Sequence, residues 1–496
     1  MELSDRAACY RALQSRDSRF DGLLFVGLTS TGIYCRPVCS ARTPKFENCR
    51  FFRSAAAAQE AGFRPCLRCR PETAPELACW RGTSNTVSRA LDLITEGALD
   101  DETAGVEQLA ERLGISGRHL RRLFTHHLGA SPLSVAQTRR VLFAKQLIHE
   151  TRMSMADVAM AAGFGSVRRF NEVFRNLFRR APSELRRSAP APQSGVTLKL
   201  RYRPPYDWDS MLAYLEARAV AGVEIIENGT YQRSIEIEGF LGSIDVSHLA
   251  RQHCLSITIR FPRVTSLPGI VTRVRRVFDL GADIATITSH LSRDPLLAPL
   301  VAQRPGLRAP GGWEGFELAV RAILGQQVSV AAARQLAGRL VVLCGKRLPN
   351  GLSGNLTHAF PTAERLVAAD LNSMGMPAAR RTALKALAEA SASDPHLFRP
   401  LGTIEEAIER LRNIRGVGEW TAQYIALRAL HEPDAFPAGD AGLLRGAGAV
   451  AVNGERPTPA GLLRRAEPWR PWRAYAAQHL WTAGSPIAAS GKEAHA

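Results

Sequence analysis

The sequence predicts a multidomain, mainly α-helical protein with one segment of antiparallel sheet. Three observations support this. At 496 residues the chain exceeds what a single hydrophobic core serves and calls for three or four domains. Apolar residues recur with helical period through two long stretches, 84–187 and 311–481. Between them, TLKLRYR, YQRSIEIEG and CLSITIRF alternate apolar and polar residues as half-buried antiparallel strands do.

Composition narrows the class. With 45% hydrophobic and 22% charged residues the chain reads as globular. It holds no run of 18 apolar residues, so a membrane-spanning helix is not expected. MELSDRAACYRALQSRD lacks the apolar centre of a secretory signal, and a cytoplasmic protein is the expectation. The formal charge of +18 points to a polyanionic partner, most simply nucleic acid; an inert basic surface is the competing reading. Residues 117–187 hold fourteen Lys/Arg against four Asp/Glu, so +10 of that charge is concentrated there.

The segments follow in order. Residues 1–80 carry two cysteine pairs, and 84–187 read as helices throughout. SAPAPQSG marks a linker over 188–196. A sheet segment spans 197–310, a second helical segment 311–485, and 486–496 read as a disordered tail.

Cys35-x3-Cys39 and Cys66-x2-Cys69 have the spacing of metal-ligand pairs, and tetrahedral Zn²⁺ accepts four thiolates. Cys9, Cys49, Cys79, Cys254 and Cys344 are scattered and read as ordinary small residues. By spacing alone the cluster is a structural staple or something more. TGIYCRP, Cys39 with Arg42, and GFRPCLRC resemble the metal-binding domain of the Ada family of bacterial adaptive-response proteins, over about residues 5–75. The resemblance implies a small α+β zinc domain in which Cys35 accepts a methyl group from a DNA methylphosphotriester. It also implies DNA contacts at Thr31, Arg42 and Arg64. Ser40 stands where that family has a further arginine.

VEQLAERLGISGRHLRRLFTHHLG (106–129) reads as helix, turn, helix, with Arg118, His119, Arg121 and Arg122 on the second helix. Residues 155–186 repeat the form with Arg168, Arg169 and Arg175. A helical bundle with a solvated arginine face is the competing reading. The pair, with GF-x13-F-x2-AP-x3-R over 163–186, resembles the all-α DNA-binding region of AraC-type regulators, which implies contacts to DNA from Arg118, Arg121, Arg122, Arg168 and Arg169. Arg179 replaces the glycine that usually ends the last recognition helix.

In LRNIRGVGEWTAQYIALRAL (411–430), Gly416 and Gly418 lie between two helical stretches, a turn able to offer backbone N–H groups to a phosphate. Asp440 follows Trp420 by twenty residues. This order resembles the helix-hairpin-helix DNA glycosylases. RPPYDWDSMLAYLEARAV, RPGLRAPGGWEGFELAVRAILGQQVSV and PWRPWRAYAAQHLW extend the resemblance to AlkA-type 3-methyladenine DNA glycosylases over about 197–482. It implies an antiparallel-sheet α+β domain joined to an all-α body and catalysis by Asp440. It further implies a base pocket lined by Tyr214, Trp420, Tyr424 and Trp472, and a wedge at Gln327 where the family has leucine. Family members that cut the strand carry lysine where this chain has Trp420, so no lyase activity is expected.

Together the resemblances imply a fusion. It would excise alkylated bases of the 3-methyladenine and 7-methylguanine class, repair methylphosphotriesters, and activate alkylation-response promoters. Its partners would be double-stranded DNA and RNA polymerase, within the nucleoid. The Pro-Cys-His-Arg motif of O6-methylguanine repair is absent. A transcription factor with a catalytically idle glycosylase-like clamp is the alternative.

Overall fold

A computed structural model describes residues 3, 5–75, 85–95, 97–100, 105–186, 195–349, 354–399, 403–451 and 454–484. The tail 486–496, Cys79 and all but the last two residues of the expected linker lie outside them. The chain forms two compact units. The first comprises residues 1–203, 244–275 and 280–282; the second comprises 204–243, 276–279 and 283–496.

The first unit opens with helix α1 (Arg6–Gln14), then strands β1 (Phe25–Leu28), β2 (Ile33–Cys35) and β3 (Cys49–Phe52), helix α2 (Ala55–Glu60) and strand β4 (Arg64–Pro65). The sheet order is β3-β1-β2-β4; β1 pairs antiparallel with β2 and β3, while β4 runs parallel to β2. Six helices follow: α3 (Asn85–Thr95), α4 (Val106–Arg112), α5 (Gly117–Leu128), α6 (Pro132–Glu150), α7 (Met155–Ala161) and α8 (Val167–Phe178). Helices α5 to α8 each start on a serine (Ser116, Ser131, Ser154, Ser166) whose hydroxyl accepts the backbone N–H three residues on. Each such cap contributes about 1 kcal/mol. Along α8, Phe170, Phe174 and Phe178 recur every four residues and are buried, which leaves the arginines on the opposite face.

The middle of the chain contributes β5 (Val196–Arg201), α9 (Trp208–Arg218), β6 (Glu224–Glu227), β7 (Thr230–Ile237), β8 (Phe240–Leu249) and β9 (Cys254–Arg260). The β5–β9 ladder of the first unit and the β6–β7 ladder of the second are both antiparallel. Leu198 faces Ile257 and Leu200 faces Leu255, all four fully buried, which is the alternation seen in the sequence.

The remainder is helical: α10 (Leu267–Val277), α11 (Ile284–Leu291), α12 (Ala298–Gln303), α13 (Gly315–Leu324), α14 (Val330–Cys344), α15 (Ala363–Ala368), α16 (Ala378–Ser393), α17 (Ile404–Arg412), α18 (Glu419–Arg428), α19 (Ala441–Val450), α20 (Pro459–Arg465) and α21 (Arg473–Ala483). A two-residue ribbon, Lys346–Arg347 with His358–Ala359, interrupts the helices and was not expected. Every residue of α13 except Arg321 is buried, so this helix is the axis of the second core. Leu340, Leu384, Leu387, Leu411 and Ile425 from the surrounding helices pack in the same cluster. Arg233 on β7 donates to Glu317 on α13 at 2.8 Å, tying the β6–β7 ladder to that axis.

Candidate functional sites

In the first unit, the parallel pairing of β2 with β4 brings the two cysteine pairs together. Cys35 ends β2, and the Cys66 N–H just beyond β4 donates to the Tyr34 carbonyl at 3.0 Å. A tight turn returns Cys39 toward Cys35, its N–H donating to the Arg36 carbonyl at 3.2 Å. The sulfurs of Cys35, Cys39, Cys66 and Cys69 all lie within 4.8 Å of one another. Zinc with sulfur bonds of about 2.3 Å places its ligands about 3.8 Å apart, so the donor set fits that ion in both chemistry and spacing. Arg36, beside Cys35, is fixed from all sides. It forms a bidentate ion pair with Asp21 and donates to Thr73 Oγ1 at 2.7 Å and to the Cys69 carbonyl at 3.1 Å. Its own N–H points at Cys69 Sγ, 3.4 Å away. Thr31 and Arg42 are exposed and Arg64 is half-buried.

Arg118, Arg121 and Arg122 on α5 and Arg168 and Arg169 on α8 are all exposed. Arg121 pairs with Glu107 at 2.6 Å and Arg169 with Glu172 at 3.2 Å, exchangeable surface contacts. Helix α5 ends on Gly129 (φ +69°); α8 ends on Arg179 at φ +57°, so the arginine occupies the left-handed cap that a glycine would fill without strain.

In the second unit, Gly416 has φ +87°, and a Cβ there would lie 2.3 Å from the Ala383 Cβ, so both conformation and space demand glycine. Gly418 is the N-cap of α18, exposed, with open space around it. Asp440 is the N-cap of α19, where a carboxylate suits the helix dipole. Three donors converge on it: the Leu443 N–H (2.8 Å) and Trp481 Nε1 (2.7 Å) on Oδ1, and Trp420 Nε1 (2.9 Å) on Oδ2. Trp420 stacks on Tyr424 (centroids 5.5 Å, 18°), and the Tyr424 hydroxyl lies 3.3 Å from that of Tyr214 on α9. Burial and the neighbouring Tyr214 phenol push Tyr424 up to about 12, so it stays protonated and able to donate. Behind these rings Arg428, 1% exposed, lies 4.8 Å from Tyr214, 5.1 Å from Trp481 and 5.8 Å from Tyr424, measured to the ring centroids. The Pro310 carbonyl and Gln478 Oε1 hold its guanidinium.

The structure thus gathers Tyr214, Trp420, Tyr424 and Asp440. The tryptophan that α21 presents to Asp440 is Trp481. Trp472 is at the other end of α21, nine residues or about 13 Å of helix rise away. It is buried with its ring edge-on to Tyr475. Trp481, Arg428 and Gln326 were not singled out from the sequence. Gln327 sits exposed at the turn into α14 with φ +55°. The preceding Gln326 donates to the Gly416 carbonyl and to Thr421 Oγ1, each at 3.0 Å, clipping this turn to the glycine hairpin.

Comparison with known proteins matches four successive stretches of the chain. Residues 8–72 match the metal binding domain of Ada, 109–188 a helix-turn-helix domain, 197–314 the AlkA N-terminal domain, and 320–471 the HhH-GPD superfamily of base excision DNA repair proteins. A Mycobacterium tuberculosis protein described as a probable bifunctional transcriptional activator/DNA repair enzyme AlkA is 40% identical over 488 residues, covering 96% of each chain. The chain belongs to this family of bifunctional activator and repair proteins. The Escherichia coli DNA-3-methyladenine glycosylase 2 is 37% identical over 57% of this chain and 95% of its own. Escherichia coli Ada is 37% identical over 26% of this chain, and the match spans 35% of Ada. A 3-methyladenine DNA-glycosylase structure from Archaeoglobus fulgidus covers 57% of the chain at 21% identity with TM-score 0.52, which supports the fold of the glycosylase part. Among the described residues no helix is long and apolar enough to cross a membrane.

Proposed function

We propose that the chain carries out two reactions on damaged double-stranded DNA and uses the second to control transcription. The first is hydrolysis of the N-glycosidic bond of alkylated bases. The observation that carries it is the Asp440 carboxylate, oriented by three donors beside Trp420, Tyr424 and Tyr214. A base must leave the stack to reach such a site, and Gln327, on an exposed turn clipped to the glycine hairpin, would fill the gap it leaves. A purine alkylated on a ring nitrogen is cationic, and aromatic faces attract cations. As the C1′–N bond breaks, its electrons neutralise the base and leave positive charge on the sugar. Asp440 stabilises that charge until water adds to C1′ and releases a proton. Trp420 offers no amine for a Schiff base, so the strand is left uncut.

The second reaction is methyl transfer to Cys35. Zinc, when bound, keeps all four sulfurs deprotonated at neutral pH. The Cys35 thiolate attacks the methyl carbon of a methylphosphotriester; the S–C bond forms, the C–O bond breaks, and the phosphodiester leaves as the anion. The cluster loses one unit of negative charge, which removes about 1 kcal/mol of repulsion from a nearby phosphate at water-like dielectric. Thr31, Arg42 and Arg64 then face the DNA backbone, and Arg118, Arg121, Arg122, Arg168 and Arg169 read or clamp the promoter. Activation in turn requires contact with RNA polymerase.

One incubation with methylated duplex DNA tests both halves. Free 3-methyladenine is measured against an Asp440→Asn control, and the Cys35 peptide is weighed for a gain of about 14 Da, one methylene. Base release without the mass gain reduces the cysteines to a structural staple. Mass gain without base release makes the glycosylase part a DNA clamp.

A further inference from the structure

The metal domain does not end at its cysteines. Lys145, in the middle of α6, has no exposed side-chain surface, yet its ammonium reaches into the loop that carries two of the ligands. It donates to the Cys66 carbonyl at 3.2 Å and to Glu72 Oε2 at 2.7 Å; the Glu72 side chain is 1% exposed. Glu72 also receives Arg70 Nε at 2.9 Å, and Arg70 reaches on to Glu150, the last residue of α6, at 3.1 Å. Arg70 directly follows the ligand Cys69 and holds a left-handed backbone, φ +50°, a conformation its two ion pairs sustain. Lys145 also lies 5.9 Å from the ring centroid of Phe178, the last residue of α8.

A second, separate contact joins the same domains. The Ser54 hydroxyl donates to the Leu128 carbonyl at 2.6 Å, and Glu60 accepts the Ser131 N–H at 3.0 Å. Ala56 and Ala57 of α2 share a core with Leu120, Phe124 and Leu128 of α5. This contact touches the start of α6, whereas the buried charges touch its second half.

We infer that Lys145 is a positioning residue for the Cys66–Cys69 loop, and that the chain Lys145–Glu72–Arg70–Glu150 transmits the state of the metal loop to the second half of α6. The physical ground is that buried charges tolerate no loss of partner. When the ligand loop shifts, Lys145 must move with Glu72, and α6 and the foot of α8 move with Lys145. The coupling itself needs only the metal. Its use as a methylation signal rests on the function proposed above.

Backbone hydrogen exchange of the full-length chain, with zinc and after chelation, tests the inference. In the wild type, chelation should speed exchange over 142–150 by about tenfold or more. In the double variant Glu72→Gln/Lys145→Met, which removes both charges together and so leaves neither buried alone, that response should fall below about twofold. Residues 132–140 should respond alike in both proteins, because their contact with α2 is intact. Unchanged protection in the second unit reports that the variant is folded. A wild-type α6 indifferent to chelation, or a double variant that keeps the full response over 142–150, overturns the inference. Neither result depends on whether Cys35 accepts a methyl group, so this test and that of the proposed function fail separately.

Discussion

Replacing Trp481 by phenylalanine keeps an aromatic ring against Tyr424 and Arg428 but removes the indole N–H that reaches Asp440 Oδ1 at 2.7 Å. A hydrogen bond to a charged acceptor contributes about 1.5–3 kcal/mol. The Leu443 N–H stays on the same oxygen and Trp420 on the other, so Asp440 remains at the start of α19 and folding is preserved. What is lost is one of the two side-chain donors fixing the plane of the carboxylate. If Asp440 acts through its orientation, single-turnover release of 3-methyladenine from duplex DNA slows by about 10- to 150-fold, at 1.4 kcal/mol per factor of ten. Binding of undamaged duplex stays unchanged, because the hairpin is untouched. Asp440→Asn, which removes the charge itself, must be slower still. A Trp481→Phe rate within about twofold of wild type would refute the orienting role and leave Trp481 as a wall of the pocket.

Other expectations follow from single residues. Gly416→Ala places a methyl 2.3 Å from the Ala383 Cβ at φ +87° and should cost about 2–4 kcal/mol, lowering the melting temperature and the affinity for duplex; an unchanged melting curve contradicts the strain argument. Arg179→Gly relieves a left-handed arginine at the end of α8 and should stabilise the first unit to denaturant by about 1 kcal/mol; a loss of stability contradicts it. Burial, with the Arg304 charge adding to it, pushes His479 down to about 4. The unfolded chain therefore binds a proton first as pH falls. Stability is complete above pH 6.5 and drops by up to about 3 kcal/mol on the way to pH 4. His479→Gln should flatten that stretch of the urea-stability profile, and an equally steep profile in the variant assigns the loss elsewhere.

What could be read from the sequence was what neighbouring residues determine together. Each cysteine pair is a local spacing, and Phe170, Phe174 and Phe178 announce one face of one helix. The parallel pairing of β2 with β4 that joins the two cysteine pairs is a long-range event with no local mark. Asp440 and Trp420 were legible because the order of hairpin, tryptophan and aspartate lies within one stretch of chain. Trp481 was not, because PWRPWRAYAAQHLW contains three tryptophans and only the start of α21 tells them apart. Trp469 turns inward to Asp294 and Trp472 sits at the N-cap on Tyr475; only Trp481 reaches Asp440. Arg428 and Lys145 escaped for a common reason. A single arginine or lysine in a basic chain reads as surface, and only the fold reveals that these two are buried.

The clip made by Gln326 has a mechanical meaning. Its amide joins the turn that carries Gln327 to the hairpin of Gly416, and Arg380 donates to the Gln326 carbonyl from a third side. The two loops therefore form a caliper of fixed gauge. Under the function proposed above, the hairpin would rest on a phosphate while Gln327 would meet the base stack at a set distance from it. On that reading the pair would ask first whether the duplex gives way at that spacing, and only a nucleotide that yields would be offered to Asp440.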